Sequence, residues 1–322
     1  MSNNLRYPKT TNLESVFQAM VKDEPRLAGF EGFLCDPYLS MAATLAWALR
    51  DRVLTCSTLR LGIVSGDGFG DEDLEVLPSC LSLVTRMLKL PACVKKVQIV
   101  VAVDSDSYIQ AMGHESRVCQ VKGQNGIPIE VVISSGPLHK FIFNDHFRGC
   151  DSVYFANAHL HSAEIDGEKK GVAIDRAFPR LQQIGINVFG TCDHPDKLVG
   201  EVALLKALGL DVTSSTAPYV DSFAICLPPG SPIYQPNGYF WQVAPTETPQ
   251  DRHLNFSEWA VFVSGDTSAK RIMAHCRQVM PDNAFMLTPE LVAKCVADSP
   301  DLSAAYGTLK LQHDAYLAQP LP

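Results

Sequence analysis

The sequence lacks the short motifs that identify the commonest kinds of catalytic site. Its 322 residues contain no Walker A loop, no G-x-S-x-G nucleophile elbow and no H-E-x-x-H metal motif. The ten cysteines include no C-x-x-C pair. These absences argue against P-loop nucleotide hydrolysis, the usual α/β-hydrolase chemistry, zincin proteolysis and zinc fingers. No single nucleophile stands out.

Basic residues are too scattered to form a nucleic-acid-binding surface. The chain has 27 Lys and Arg against 35 Asp and Glu, for a net charge of −8. The pairs Lys95-Lys96 and Lys169-Lys170 are isolated. A negative protein repels nucleic-acid phosphates and anionic lipids. We therefore expect neither a nucleic-acid nor a membrane partner, and expect a protein partner or a small molecule instead.

Long hydrophobic runs are also missing. The apolar stretches are shorter than the ~18 residues that a membrane helix needs. The polar segment 1–15 contains no apolar region typical of a signal peptide. Cysteines spread through apolar segments behave as small hydrophobic residues in a reducing compartment. These features predict a cytoplasmic protein.

What the sequence does contain is an alternation of strand and helix patterns. Short runs rich in β-branched residues, typical of strands buried on both faces, alternate with segments of helical periodicity. The strand runs are 59–65, 97–103, 127–133, 152–156 and 186–190, and a further strand starts at 211–214. Between the second and third runs we predict a loop and a weak helix. The alternation predicts right-handed βαβ units, hence a Rossmann-like α/β three-layer sandwich with a mostly parallel sheet and an irregular C-terminal extension.

The domain organisation follows from the same patterns. An N-terminal arm at 1–34 precedes a single Rossmann-like domain at 35–322. Residues 217–259 form a proline-rich irregular insertion with short strands around Tyr239-Phe240-Trp241, and residues 260–322 are expected to form a strand and helices. The elements expected in that last part are a strand at 260–264 and helices at 267–280, 288–298 and 302–317.

Polar residues that follow the predicted strands are the candidates for a ligand site. Ligands of open parallel sheets bind beyond the carboxyl ends of the strands. The first strand is followed by a glycine-rich turn, GDGFG, and the candidate ligand-binding residues are Asp67, Gly68, Asp104, Asn157 and Thr191. S-adenosylmethionine would fit such a site if Asp104 accepted its ribose hydroxyls, and a dinucleotide is a second possibility. The plain alternative is a solvent-exposed turn that needs glycine backbone angles. The sequence specifies no cofactor.

A second cluster has the residue types of a metal site. His159 and His161 follow the strand at 152–156, and Asp193 and His194 follow the strand at 186–190. A His-x-His pair on an extended segment places both imidazoles on one side, where they can ligate a metal. The alternative is structural: Asp193 is the N-cap of the helix beginning near Pro195, and His194 is a surface residue of its first turn.

Several segments match the pattern of a known domain. They are the run CDSVYFAN (150–157), the run INVFGT (186–191), the helix that ends at Leu208-Gly209, the opening helix 39–49, the strand and turn 59–67, and NGYFW (237–241). Together they resemble the C-terminal domain of the mitochondrial splicing suppressor family, which also occurs beside MYND zinc fingers. The resemblance covers about residues 35–245. It differs at Asn157-Ala158-His159, where the family has Asn-Pro-Gly, and at Asp193, where it has Tyr, and no MYND finger precedes the domain.

Three functional hypotheses remain open. The resemblance implies a Rossmann-like fold in a family without an established catalytic mechanism, and it favours a regulatory or protein-interaction module. The strand-end residues favour an enzyme that binds a small ligand of the nucleotide or S-adenosylmethionine type. The histidine cluster favours a metal-dependent hydrolase in which metal-bound water is the nucleophile.

Overall fold

The chain divides into two compact units. The sheet unit comprises Met1–Phe141 and Cys150–Gln250, and the helical unit comprises Ile142–Gly149 and Asp251–Pro322. The structure is a computed structural model, and the residues it describes are 22, 41, 44–46, 48–49, 54–65, 81–82, 85, 90–103, 116–122, 126–135, 145–157, 160, 178–216, 238–246, 249–262, 264–280 and 287–321.

The sheet unit is built on one large sheet. Its strands are β1 (Thr58–Ser65), β2 (Lys96–Val103), β3 (Ser116–Lys122), β4 (Pro128–Ser135), β5 (Ser152–Ala156), β6 (Asn187–Cys192), β7 (Val212–Thr216) and β8 (Tyr239–Val243). They lie in the order β3-β4-β2-β1-β5-β6-β8-β7. The five central strands are mutually parallel, and only β3 and β8 run against the others. This confirms the predicted Rossmann-like α/β class.

The largely apolar composition of β5 and β6 suits their central position in the sheet. Every residue of β5 and of β6 is buried. Because successive side chains of a strand point to opposite faces, both faces of the sheet are covered here. Continuous apolar runs such as these are typical of parallel sheets, whose crossover helices pack on both sides.

A close backbone–ring contact fixes the reversed strand β8 beside β6. Gly190 of β6 is paired with Trp241 of β8. A Cβ atom placed on Gly190 would lie 2.2 Å from Cζ2 of Trp241. No side chain fits at that distance, so glycine is required at position 190 for the indole to lie across the strand. The sheet can therefore continue from its parallel part into the β8–β7 pair.

The helices whose two bounds both lie among the described residues are α1 (Asp145–Arg148), α2 (Pro195–Ala207), α3 (Phe256–Phe262), α4 (Thr267–Val279), α5 (Pro289–Val296) and α6 (Pro300–Leu317). All but α2 belong to the helical unit, whose core is apolar and aromatic. The predicted helices at 195–208, 267–280, 288–298 and 302–317 are confirmed. Among the described residues, no helix combines the length and the apolar composition that a bilayer crossing requires.

The strand expected at 260–264 is wrong, because residues 260–262 form the end of helix α3. The run AVFVS has strand composition, but a helix start signal lies just before it. Asn255 accepts a hydrogen bond from the backbone N–H of Glu258 at 2.9 Å, and the Glu258 carboxylate accepts one from Asn255 N–H at 3.0 Å. This reciprocal capping box starts a helix that buries Phe256 and Trp259.

Strand β3 is the second departure from the sequence prediction, which placed a loop and a weak helix there. The segment SRVCQVK alternates polar and apolar residues and pairs antiparallel with β4 at the edge of the sheet. An edge strand has only one neighbour, so it needs no continuous apolar run.

Candidate functional site

The carboxyl ends of the central strands meet at one edge of the sheet. Ser65 at the end of β1 is in register with Val103 at the end of β2 and with Ala156 at the end of β5. Ala156 is in turn in register with Thr191 of β6. The chain therefore leaves β1, β2 and β5 side by side and at the same level, as the predicted ligand site requires.

The order of these strands changes direction at β1. From β1 the chain proceeds outwards to β2 and β4, and it then returns to the other side of β1 to form β5 and β6. The strands that follow β1 and β5 in the chain therefore lie in opposite directions along the sheet. In open α/β sheets such a switch point is where ligands bind.

Asn157 lies directly at this switch point, in an unusual backbone conformation. It follows β5, is 3 % exposed, and has a φ of 44°, the only positive value among the described residues other than glycine. Its backbone N–H donates to the carbonyl of Thr191 at 3.1 Å and extends the β5–β6 ladder by one bond. Asparagine is among the few residues that adopt the left-handed region at modest cost. The turn at Asn157 redirects the chain at the rim of the sheet.

Thr191 lies at the same edge, but its side chain is hydrogen-bonded within the core of the sheet unit. Its hydroxyl oxygen lies 2.8 Å from the hydroxyl oxygen of Tyr154 on the neighbouring strand, and both residues are buried. The structure therefore brings Asn157 and Thr191 together, as predicted, and gives Thr191 a hydrogen bond within the core. The other predicted ligand-binding residues, Asp67, Gly68 and Asp104, lie outside the described residues.

The structure describes two of the four predicted metal ligands, Asp193 and His194. Asp193 is buried, and Lys197 Nζ lies 2.7 Å from one of its carboxylate oxygens and 2.8 Å from the other. His194 is the N-cap of α2, and its Nδ1 accepts a hydrogen bond from the N–H of Asp196 at 3.3 Å. The alternative that made Asp193 the N-cap is thus wrong by one residue. His159 and His161 lie outside the described residues.

The described residues contain no cluster with metal-ligand geometry. Within the described ranges, no three His, Cys, Asp or Glu side chains come together as a metal site would require. Asp193 forms an ion pair with Lys197, which lies four residues later in the first turn of α2. The metal site proposed from the sequence stays a prediction.

Sequence reasoning missed a buried carboxylate beside this edge. Glu201 of α2 is 1 % exposed. Its Oε2 accepts hydrogen bonds from Trp241 Nε1 at 2.7 Å and from Cys192 Sγ at 3.1 Å. Its Oε1 accepts one from the backbone N–H of Leu160 at 3.1 Å.

This carboxylate connects β6, β8 and the segment that follows Asn157. Burial raises the pKa of the Cys192 thiol, and the neighbouring Glu201 charge raises it further. Cys192 therefore stays protonated and serves as a hydrogen-bond donor. A glutamate inside a helical pattern is usually exposed. The only sequence signal for the burial of Glu201 is that it precedes Leu205, which is also buried, by four residues and so lies on the same face of α2.

Comparisons with known proteins give only distant structural similarities. No family model and no curated protein matches the chain. A solved precorrin-6y C5,15-methyltransferase from Geobacter metallireducens GS-15 is 9 % identical, with a TM-score of 0.30 over 64 % of this chain and 87 % of its own. A delta-N METTL16 methyltransferase domain is 12 % identical, with a TM-score of 0.32 over 72 % of this chain and 95 % of its own. These similarities are too distant to support an argument about activity, and the Rossmann-like assignment rests on the sheet order.

Proposed function

We propose that the sheet unit belongs to an enzyme that binds S-adenosylmethionine, or a nucleoside ligand of similar build, beyond the carboxyl ends of β1, β2 and β5. The observation that carries the proposal is the switch point at β1, where the chain leaves β1 and β5 in opposite directions. Crevices at such points bind nucleotide-type ligands in open α/β sheets.

The residues that follow these strands in the sequence suit a ribose-containing ligand. The glycine-rich turn GDGFG comes directly after β1, and glycine permits close approach of the backbone to a ligand. Asp104 comes directly after β2, the strand in register with β1. An acidic residue at the end of the second strand of a Rossmann fold accepts hydrogen bonds from ribose hydroxyls. Here that residue would be Asp104.

Charge favours S-adenosylmethionine over a dinucleotide. Asp67 and Asp71 in the first turn, and Asp104 after the second strand, are all acidic. Carboxylates repel the pyrophosphate of a dinucleotide and attract the sulfonium of S-adenosylmethionine. When bound, that cofactor would supply an electrophilic methyl group. The protein's part is to hold the ribose through Asp104 and to shape the rim of the crevice through the turn at Asn157.

Calorimetric titration of the full chain tests this function. We expect binding of S-adenosylmethionine and S-adenosylhomocysteine, and much weaker binding of NAD. Asp104→Asn removes one charged acceptor, worth about 1.5–3 kcal/mol, and should weaken binding roughly tenfold or more. The matched control is Asp211→Asn, an exposed position just before β7, which should bind like the unaltered chain. Failure of both adenosyl ligands to bind would reject the proposal.

The other hypotheses from the sequence stay predictions. These are the resemblance to the splicing suppressor domain with its protein-interaction role, the cytoplasmic location, and the metal-dependent hydrolase. The four large apolar side chains exposed in the described part of the chain are Val199, Val279, Leu311 and Leu317, distributed over three helices. Scattered exposed apolar residues are normal for a folded protein and favour no particular partner.

A further inference from the structure

The chain that leaves β5 is held at two points only three residues apart. At the first, the backbone N–H of Asn157 donates to the carbonyl of Thr191 on β6 at 3.1 Å. At the second, the backbone N–H of Leu160 donates to Oε1 of Glu201 on α2 at 3.1 Å. Because three residues span at most about 10 Å, the second point also lies near the carboxyl end of β5.

The other contacts of Glu201 show in which direction the chain turns after β5. Its second carboxylate oxygen, Oε2, accepts hydrogen bonds from Cys192, the last residue of β6, and from Trp241 on β8. In the sheet, β5 lies between β1 and β6, and β8 lies beyond β6. The hydrogen bond from Leu160 to Glu201 therefore draws the chain toward β6 and α2, and away from β1.

The groups around Glu201 match a carboxylate and do not match a neutral residue of the same size. The indole N–H of Trp241 and the backbone N–H of Leu160 can donate but cannot accept. Burial raises the pKa of the Cys192 thiol, and the Glu201 charge raises it further, so this thiol also donates. A carboxylate accepts from all three, and hydrogen bonds to a charged acceptor are stronger than those to a neutral one.

We propose that Glu201 is a positioning residue of the ligand site, which holds the chain after β5 against α2 and so leaves the space beside the end of β1 to the ligand. This inference rests on the proposed function, since the position of that chain affects binding only if a ligand lies between the ends of β1 and β5. Glu201 is 1 % exposed and acts through Leu160 rather than by touching the ligand.

The anchor and the ligand should favour each other. Without the Glu201 carboxylate, the chain after β5 keeps its path for only part of the time, and the apparent affinity falls in proportion to that fraction. Coupling between two sites is reciprocal. A bound ligand should therefore also strengthen the hydrogen bond between Leu160 and Glu201.

Calorimetric titration of S-adenosylhomocysteine into the full chain and its variants tests this role. At a temperature where circular dichroism shows every variant to be folded, we expect Glu201→Gln to bind about threefold more weakly or worse. Asn187→Ala is the matched control, because Asn187 is buried at the opposite end of β6 and its Oδ1 accepts a hydrogen bond from Gln242 Nε2 at 2.9 Å. This variant also loses a buried hydrogen bond, but it should bind the ligand like the unaltered chain.

Hydrogen exchange of the unaltered chain gives a second measurement that needs no substitution. We expect saturating S-adenosylhomocysteine to slow the exchange of the Leu160 amide, because a ligand that requires the anchored chain stabilises it. This measurement decides the question if Glu201→Gln does not fold.

The outcomes separate the role of Glu201 from the proposed function. If the unaltered chain binds no adenosyl ligand, both are rejected together. If it binds S-adenosylhomocysteine and Glu201→Gln binds equally well, the positioning role alone is rejected. Equal weakening in Glu201→Gln and Asn187→Ala would trace the effect to a general loss of stability and would also reject it. So would binding to the unaltered chain that leaves the exchange of the Leu160 amide unchanged.

Discussion

Glu201→Gln is the perturbation that probes the buried carboxylate beside the proposed site most sharply. Glutamine keeps the size and shape of the side chain but replaces one carboxylate oxygen with an NH₂ group. Three donors converge on Glu201: Trp241 Nε1 and Cys192 Sγ on one oxygen, and the N–H of Leu160 on the other. An amide in either orientation leaves a buried backbone or indole N–H facing another donor.

The expected loss of stability follows from the buried N–H that has no acceptor in the variant. A buried N–H that loses its acceptor costs about 1–3 kcal/mol. For a unit of this size, a loss of that order lowers the melting temperature by about 5 °C. Glu201→Ala should cost more, about 3–5 kcal/mol, because all three donors lose their acceptor and a cavity is left. Asp196→Asn lies on the same helix with a side chain that is 92 % exposed, and it should change stability little.

Urea unfolding gives the stability change, and hydrogen exchange shows where it arises. We expect faster exchange of the Leu160 amide in Glu201→Gln than in the unaltered chain, and unchanged exchange in the helical unit. A Glu201→Gln variant as stable as the unaltered chain, with Leu160 still protected, would refute the carboxylate network as a stabilising element.

Further substitutions test individual features of the two units. Gly190→Ala should destabilise the sheet unit by about 2 kcal/mol or more in thermal unfolding, because its Cβ would overlap the Trp241 ring. Asn157→Val should cost about 1–2 kcal/mol more than Asn157→Gly in urea unfolding, since only glycine enters the left-handed region without strain. Asn255→Ala should remove the cap of α3 and cost the helical unit about 1 kcal/mol. The raised pKa of Cys276 favours the folded state below the pKa of an unfolded thiol, about 8.5. That contribution is lost as pH rises toward about 12, so Cys276→Ala should flatten the fall in stability above about pH 9.

The strands of the sheet could be predicted because burial imposes a pattern on them. A strand covered on both faces must be apolar at nearly every position, and runs such as 97–103 and 152–156 satisfy this rule. Parallel strands then place their following residues at one edge, which is why Asn157 and Thr191 could be predicted to meet. The same reasoning cannot find an edge strand like β3, whose single neighbour allows polar residues.

The wrong prediction of a strand at 260–264 has a specific physical cause. The composition of AVFVS favours a strand, but Asn255 and Glu258 cap a helix that buries the same apolar residues. A tertiary core and a cap together outweigh the local β preference. The capping-box spacing from Asn255 to Glu258 was present in the sequence and would have indicated the helix.

The Glu201 network could not be predicted from sequence spacing. Its partners come from positions 160, 192 and 241, which approach one another only after the sheet has formed. A glutamate on a helix gives no local sign that an indole N–H will meet it. The hydrogen bond between Thr191 and Tyr154 is similar, since it depends on the β5–β6 register rather than on either strand alone.

The central claim is that a nucleoside ligand lies where the chain leaves β1, β2 and β5. Diffraction from crystals of the full chain grown with S-adenosylhomocysteine tests this most directly. We expect ligand density between the ends of β1 and β5, with the ribose hydroxyls within hydrogen-bond distance of Asp104. Ordered strand ends without ligand density there, at a ligand concentration that saturates binding in solution, would contradict the claim.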